Sequence, residues 1–302
     1  MRIRTTLALA TALTFAACKK EEVSAPSSSS PTTDVSARDL VMQDYTESFG
    51  ASISSVGWTG STSACDPGTV SQNARDLVLQ RINYYRRLVG LNDDCTWDDS
   101  QTAKYQQTAL MMHANNTLDH DPPSSWSCYT ALGEQGAGLS NLYMGMNGTY
   151  AIDGLMKDGY TTTVGHRRWF LHSAKTEFAY GSTSTYTAVG IMGVAGGNTQ
   201  IPDFIAYPPE GYMPRPIMPV YWSFGIPGAN FSSAQVTMTG PEGNVPLTIV
   251  YTNGGYGDKS IVWQPTGVVT GSGPDVSYTV TVSGIGSADE ASYTYTVISA
   301  QP

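Results

Sequence analysis

The 302-residue chain is short of charge, of histidine and of cysteine. Only 14% of its residues are charged, it holds four histidines and four cysteines, and its formal net charge is -9. Phosphate binding needs a concentrated basic patch and none is visible, so nucleic acid is excluded as a partner. The chain has no C-x-x-C pair, no H-E-x-x-H and no G-x-S-x-G, which removes the common signatures of zinc ribbons, zincins and serine hydrolases. Nor does it contain an apolar run long enough to span a bilayer, which takes ~20 residues. What it has in quantity is Gly, Ser, Thr and Tyr, with 40% hydrophobic residues. That composition supports packed cores and matches the surface of an exported protein.

Residues 1–17 read as a signal peptide, with Arg2 and Arg4 as the charged start, an apolar run from Thr5 and the small pair Ala16-Ala17 before a cut. Cys18 follows at once, and Phe15-Ala16-Ala17-Cys18 resembles a bacterial lipobox. That resemblance implies lipidation of Cys18, a membrane partner through the lipid, and a cell-envelope location. By the sorting rule of such lipoproteins, Lys19 after the cysteine favours the outer membrane or cell surface. Residues 18–64 are expected to be a largely disordered tether, because Lys19-Lys20-Glu21-Glu22 and Ser27-Ser28-Ser29-Ser30 leave little to bury.

Three cysteines remain, Cys65, Cys95 and Cys128. In an oxidising compartment two of them pair. Cys95 with Cys128 is the favoured pair, since each closes a stretch flanked by turn formers and Trp, while other connectivities stay open.

Between residues 65 and 202 the pattern is mostly helical. Thr69-Val70-Ser71-Gln72 is a capping-box pattern, followed at helical spacing by Val78, Ile82, Tyr85 and Val89 up to Gly90. Asp98-Asp99-Ser100-Gln101 opens a second helix. Pro122 and Pro123 then hold His120 on an irregular segment, and Gly133-Glu134-Gln135-Gly136 places a carboxylate in a glycine-rich turn. A short helix over residues 151–158 ends at Asp158. Residues 165–172, Gly-His-Arg-Arg-Trp-Phe-Leu-His, put His166 and Phe170 on one helical face and Trp169 and His172 on the next. The stretch 187–194 reads as a strand buried on both faces.

In this order, Ile82-Asn83-Tyr84-Tyr85-Arg86 with Gly90-Leu91 and Trp97, the turn at residues 118–122, Gly133-Glu134, Gly165-His166 and the strand near Gly190 resemble the CAP superfamily of cysteine-rich secretory, antigen 5 and pathogenesis-related 1 proteins. The resemblance implies an α-β-α sandwich and a cleft formed by two histidines and two acids. Carried over by motif, these are His120, Glu134, Asp158 and His166, with Asp158 where a glutamate is usual. His120 and His166 are the implied ligands of a divalent metal such as Zn, nitrogen donors suiting it better than Ca. Carboxylates holding the imidazoles without metal is the equally weighted alternative. No general enzymatic activity follows from the four residues. The implied function is non-enzymatic binding of an unknown lipid, glycan or protein ligand, or of a metal; the alternative is an extracytoplasmic metal-assisted hydrolase or peptidase using the same cleft.

Prolines at 202, 208, 209, 214, 216 and 219 mark the exit from this region, and helical periodicity ends there. Residues 203–302 show short alternating runs at 235–239, 245–252, 260–263, 278–283 and 293–298, separated by Gly, Pro, Asn and Asp. The expected fold is α+β: a CAP-type α-β-α sandwich followed by an all-β, immunoglobulin-like sandwich. Tyr and Trp at sandwich spacing are expected in the core, so no site is assigned there.

Overall fold

A computed structural model describes residues 36–53, 55–193, 197 and 201–302. The expected signal peptide and Cys18 lie outside the described residues. Among those described, no helix is long and apolar enough to cross a membrane.

The chain is α+β. Six α-helices are described: α1 (Ala37–Gly50), α2 (Gln72–Leu88), α3 (Thr102–Asn115), α4 (Ala131–Gly138), α5 (Gly148–Lys157) and α6 (Gly165–Phe170). The first sheet runs β1 (Thr96–Trp97), β3 (Glu177–Ser182), β4 (Tyr186–Gly190) and β2 (Ser140–Met144), antiparallel except where β1 joins β3. Strand alternation gives this sheet two apolar faces. Phe178, Tyr180 and Val189 pack with Val78, Ile82 and Tyr85 of α2 and Ile152 and Leu155 of α5. Their neighbours Ala179, Ala188 and Tyr186 pack with Tyr105, Ala109 and Met112 of α3 and Ala137 of α4. Small residues set the spacing: a Cβ on Gly181 would collide with the backbone of Tyr105 and Gln106.

Helix α2 starts two residues later than the capping pattern suggests, on Ser71, whose hydroxyl accepts from the Ala74 amide. The stretch expected to be a glycine-rich turn is helix α4, capped by Thr130 accepting from the Gly133 amide. Gly133 and Gly136 serve close approach to α3 rather than chain reversal; a Cβ on Gly136 would run into Thr108.

The expected tether through residue 64 is corrected over its described part. Ser36 caps α1 by accepting from the Asp39 amide. Tyr45 and Phe49 stack at 4.4 Å, and Phe49 meets Tyr84 edge-on at 5.5 Å. Arg81 lies 3.6 Å over the Phe49 ring and pairs with Asp153 at 2.5 Å. Residues 37–50 do carry an aromatic face; the charged and serine-rich segment before them masks that in a composition argument.

The disulfide is also corrected: Cys65 pairs with Cys128, their Cα atoms 5.1 Å apart. Cys95 is a buried free thiol. It belongs to the core on the α2 side, its backbone bonded to Asn83, whereas the Cys128 carbonyl accepts from Gln107 of α3. The first sheet stands between them. Burial pushes the Cys95 thiol pKa up.

The C-terminal part is all-β, in two sheets. One orders β10 (Leu247–Asn253), β11 (Ser260–Pro265), β7 (Trp222–Gly225) and β5 (Ile205–Tyr207); the other orders β6 (Gly211–Pro214), β13 (Ser292–Ala300), β12 (Val276–Ser283), β8 (Gln235–Gly240) and β9 (Gly243–Asn244). Tyr278, Val280 and Val282 of β12 are buried while Thr279 is exposed, as the alternation predicts. Trp222 and Trp263 are fully buried, 6.3 Å apart. Two strands, β5 and β6, lie in the proline-rich stretch and β7 just after it, where none is expected; β5 and β6 stand at sheet edges, which tolerate a missing amide donor. The core on the α2 side of the first sheet continues into the β region, reaching Val297, with Tyr85 and Tyr207 6.2 Å apart across the join.

Candidate functional site

The site is built from four short pieces of chain around the end of α6. Lys157 ends α5, and Asp158 turns the chain in the left-handed region at φ 44°. That turn buries its carboxylate, which is 1% exposed, under the first turn of α6. Asp158 Oδ2 accepts from the backbone amides of His166 at 2.9 Å and Arg167 at 3.4 Å, and Oδ1 accepts from His166 Nδ1 at 2.9 Å. One carboxylate thus caps the helix and aims the imidazole. The fully buried Arg167, whose charged form this carboxylate favours, donates to the Tyr221 carbonyl at 2.8 Å and lies 5.0 Å over the Tyr207 ring. Burial pulls the Arg167 pKa down to about 10, while Asp158 pushes it back up.

His120 arrives on the irregular segment after α3. Its Nδ1 lies 2.7 Å from the Ala137 carbonyl. A carbonyl only accepts, so Nδ1 carries the proton, and in neutral His120 the other nitrogen, Nε2, is an acceptor. The same holds for His166, whose Nδ1 faces a carboxylate that also takes two amide protons. The two imidazoles are therefore set in the same tautomer, each with Nε2 left for a ligand.

Both histidines line two cavities. One, of about 310 Å3, is completed by Ser140, Asn141, Thr161, Thr163, Trp169 and Tyr256. The other, of about 430 Å3, is lined by Leu118, Leu142, Tyr143, Met144, Asp158 and Tyr160 among others. The first mixes hydroxyl and amide groups with two aromatic rings; the second sets leucine and methionine side chains beside two tyrosines and the carboxylates of Asp119 and Asp158. Both volumes fall within the ~300–1,000 Å3 of small-molecule sites. Asn141 donates to the His166 carbonyl at 2.9 Å, tying β2 to α6.

Of the four residues expected to share the cleft, His120, Asp158 and His166 line the same cavity. Glu134 does not. It sits in the first turn of α4 with its carboxylate hydrogen-bonded to the Tyr129 hydroxyl. A divalent metal fits this arrangement poorly. Among the described residues, no three of His, Cys, Asp and Glu come together in a group able to hold one. The Asp158 oxygens and both Nδ1 atoms are already engaged, which leaves two imidazole Nε2 atoms. Zinc sites use three or four protein ligands.

His172 stacks on Trp169 at 5.8 Å and lies 3.9 Å from Asp258, outside both cavities. Burial pulls its pKa down, partly offset by Asp258. His113 is held between Trp58 and Tyr186 at 5.4 and 5.2 Å. Tyr256, by contrast, carries no sequence signal: its Asn-Gly-Gly-Tyr-Gly surroundings read only as a turn, and its place beside His166 depends on chain folding across 90 residues.

Residues 79–191 match the family model described as CAP, the cysteine-rich secretory protein family. All four candidate cleft residues lie inside that span. Comparison with curated proteins and with solved structures finds no match.

Proposed function

From a chain that carries a CAP domain over residues 79–191, we propose an exported envelope protein, anchored through a lipid on Cys18, that binds a small hydroxyl-bearing ligand at His120 and His166. The carrying observation is the fixed tautomer of both histidines at the shared wall of two cavities. Two Nε2 acceptors favour a ligand that donates O–H or N–H. The Leu118, Leu142 and Met144 side chains offer its apolar portion a place. The Cys65–Cys128 disulfide supports an oxidising compartment, since such bonds persist outside the cytosol.

The half-buried His166, oriented by the buried Asp158 carboxylate, gives the hydrolase reading its one specific support, because a carboxylate-oriented imidazole is the form a general base takes. No Ser, Thr or Cys side chain among the described residues hydrogen-bonds either Nε2, so the base would act on water.

Calorimetric titration of the full chain with oligosaccharides, decan-1-ol and Zn2+, beside a His120→Gln, His166→Gln double variant, tests the proposal. Binding of an organic probe that the double variant loses supports it. Turnover of p-nitrophenyl esters or a peptide library that the double variant loses replaces it with the hydrolase. If the double variant matches the parent in every titration, the cleft is not the binding site.

A further inference from the structure

Tyr256 lies on the loop between β10 and β11, in the C-terminal β region, yet it lines the cavity that holds His120, His166 and Trp169. The loop is short and sharply folded: Asn253, Gly254 and Gly257 all take left-handed backbone angles, at φ 59°, 84° and 59°. Its seat comes from α6. Arg168, 5% exposed, donates through Nη2 to the carbonyls of Asn253 at 3.0 Å and Asp258 at 2.8 Å, the two ends of the loop. Asp258 then accepts from the Ser173 amide at 2.7 Å and from its hydroxyl at 3.1 Å. Gly257 lets the loop lie flat on α6, where a Cβ would stand 2.5 Å from the Arg168 carbonyl.

The backbone of this loop is thus clamped while its aromatic tip is 47% exposed. The tip is not loose: the Tyr256 ring covers Gly165, one residue before His166, where a Cβ would lie 3.2 Å from the ring. A held, half-exposed ring at a cavity mouth gains its missing contact when a ligand enters.

We propose that Tyr256 is a ligand-contacting, specificity-determining residue of the cleft, and that the ligand it selects is a sugar residue of a glycan. The inference rests on the cleft being the binding site. This cavity is richer than its neighbour in aliphatic hydroxyl and amide side chains. Trp169 and Tyr256 offer ring faces whose negative quadrupole attracts the C–H faces of a pyranose. Ser140, Thr161 and Thr163 and the two Nε2 acceptors offer partners for its hydroxyls. A lipid chain needs neither. The pair of arginines in the opening turns of α6 also finds its use: Arg167 anchors the helix and Arg168 anchors the roof.

The test uses the full chain with parent, Tyr256→Ala and Tyr256→Phe proteins, titrated with a panel of N-acetylglucosamine, glucose, galactose and rhamnose oligosaccharides and with decan-1-ol. At least one oligosaccharide binds the parent. Tyr256→Ala weakens it about tenfold, as expected for loss of one ring contact, and Tyr256→Phe by about twofold or less. The far-UV circular dichroism spectrum stays unchanged in Tyr256→Ala, because the loop is held through its backbone. Equal glycan affinity in Tyr256→Ala and parent overturns the role of Tyr256. Decan-1-ol binding that His120→Gln, His166→Gln removes, with no oligosaccharide bound, overturns the glycan while leaving the cleft standing. If the double variant has no effect on any probe, the cleft reading itself fails, and this inference with it.

Discussion

Asp158→Asn is the sharpest perturbation of the site. The variant keeps the side-chain shape, and asparagine tolerates the left-handed backbone found here, so backbone strain does not confuse the result. What is lost is charge and acceptor capacity. The carboxylate accepts the His166 and Arg167 amides and His166 Nδ1; a side-chain amide offers one acceptor oxygen and turns a donor toward the rest. A hydrogen bond to a charged group contributes about 1.5–3 kcal/mol. The carboxylate is 1% exposed and the introduced amide keeps part of its bonding, so a loss of about 1.5–3 kcal/mol is expected. Urea unfolding followed by tryptophan fluorescence measures it. A second readout is particular to the site. With the oxygen of the introduced side-chain amide on the two backbone N–H groups, its NH2 donates to Nδ1 and moves the His166 proton to Nε2. Nitrogen-15 NMR of the imidazole distinguishes the two tautomers. A loss below about 1 kcal/mol together with an unchanged Nδ1–H signal would refute the reasoning.

The remaining expectations concern the scaffold. Replacing both Cys65 and Cys128 by serine opens a loop of sequence separation 63 and should remove about 4 kcal/mol; alkylation of the unreduced parent in denaturant, followed by peptide mapping, should label Cys95 and neither of the other two. Gly181→Ala should destabilise by about 3 kcal/mol, because the new methyl meets the α3 backbone, which has no room to yield; coincident urea curves for variant and parent would contradict that packing. Burial holds the Lys175 amine down at about 8, against an ordinary 10.5. Between those values the unfolded chain binds the proton that the folded chain has lost, so this residue makes stability rise with pH from about 8 to 10.5. Lys175→Met should abolish that increment, and unfolding at pH 7.5, 9 and 10 checks it as a difference between variant and parent.

Much of the architecture follows from local pattern. The apolar stripe of Val78, Ile82 and Tyr85 specifies α2 because three- and four-residue spacing places all three on one face, and each is essentially inaccessible. The five alternating runs beyond residue 230 became β8, β10, β11, β12 and β13 because period two is enough to mark a half-wet sheet. Local pattern failed where the reason for a residue lies elsewhere in the chain. Gly133 and Gly136 look like a turn until α3 is seen against them. Cys95 looks like a partner for Cys128 until the sheet is seen between them.

The same division runs through the site. His120, Asp158 and His166 were recognisable from motif order, because each keeps a short local signature: prolines after one, a helix end at the second, a glycine before the third. That Glu134 would turn to Tyr129 was not legible, since helix register and a neighbour five residues away decide it. Sequence by itself determined α2, α3, α5, α6 and the later strands, all properties of short windows. Only tertiary structure decided the disulfide, the shared tautomer of the two histidines and the arrival of Tyr256. Each depends on groups brought together by packing, which spacing along the chain does not encode.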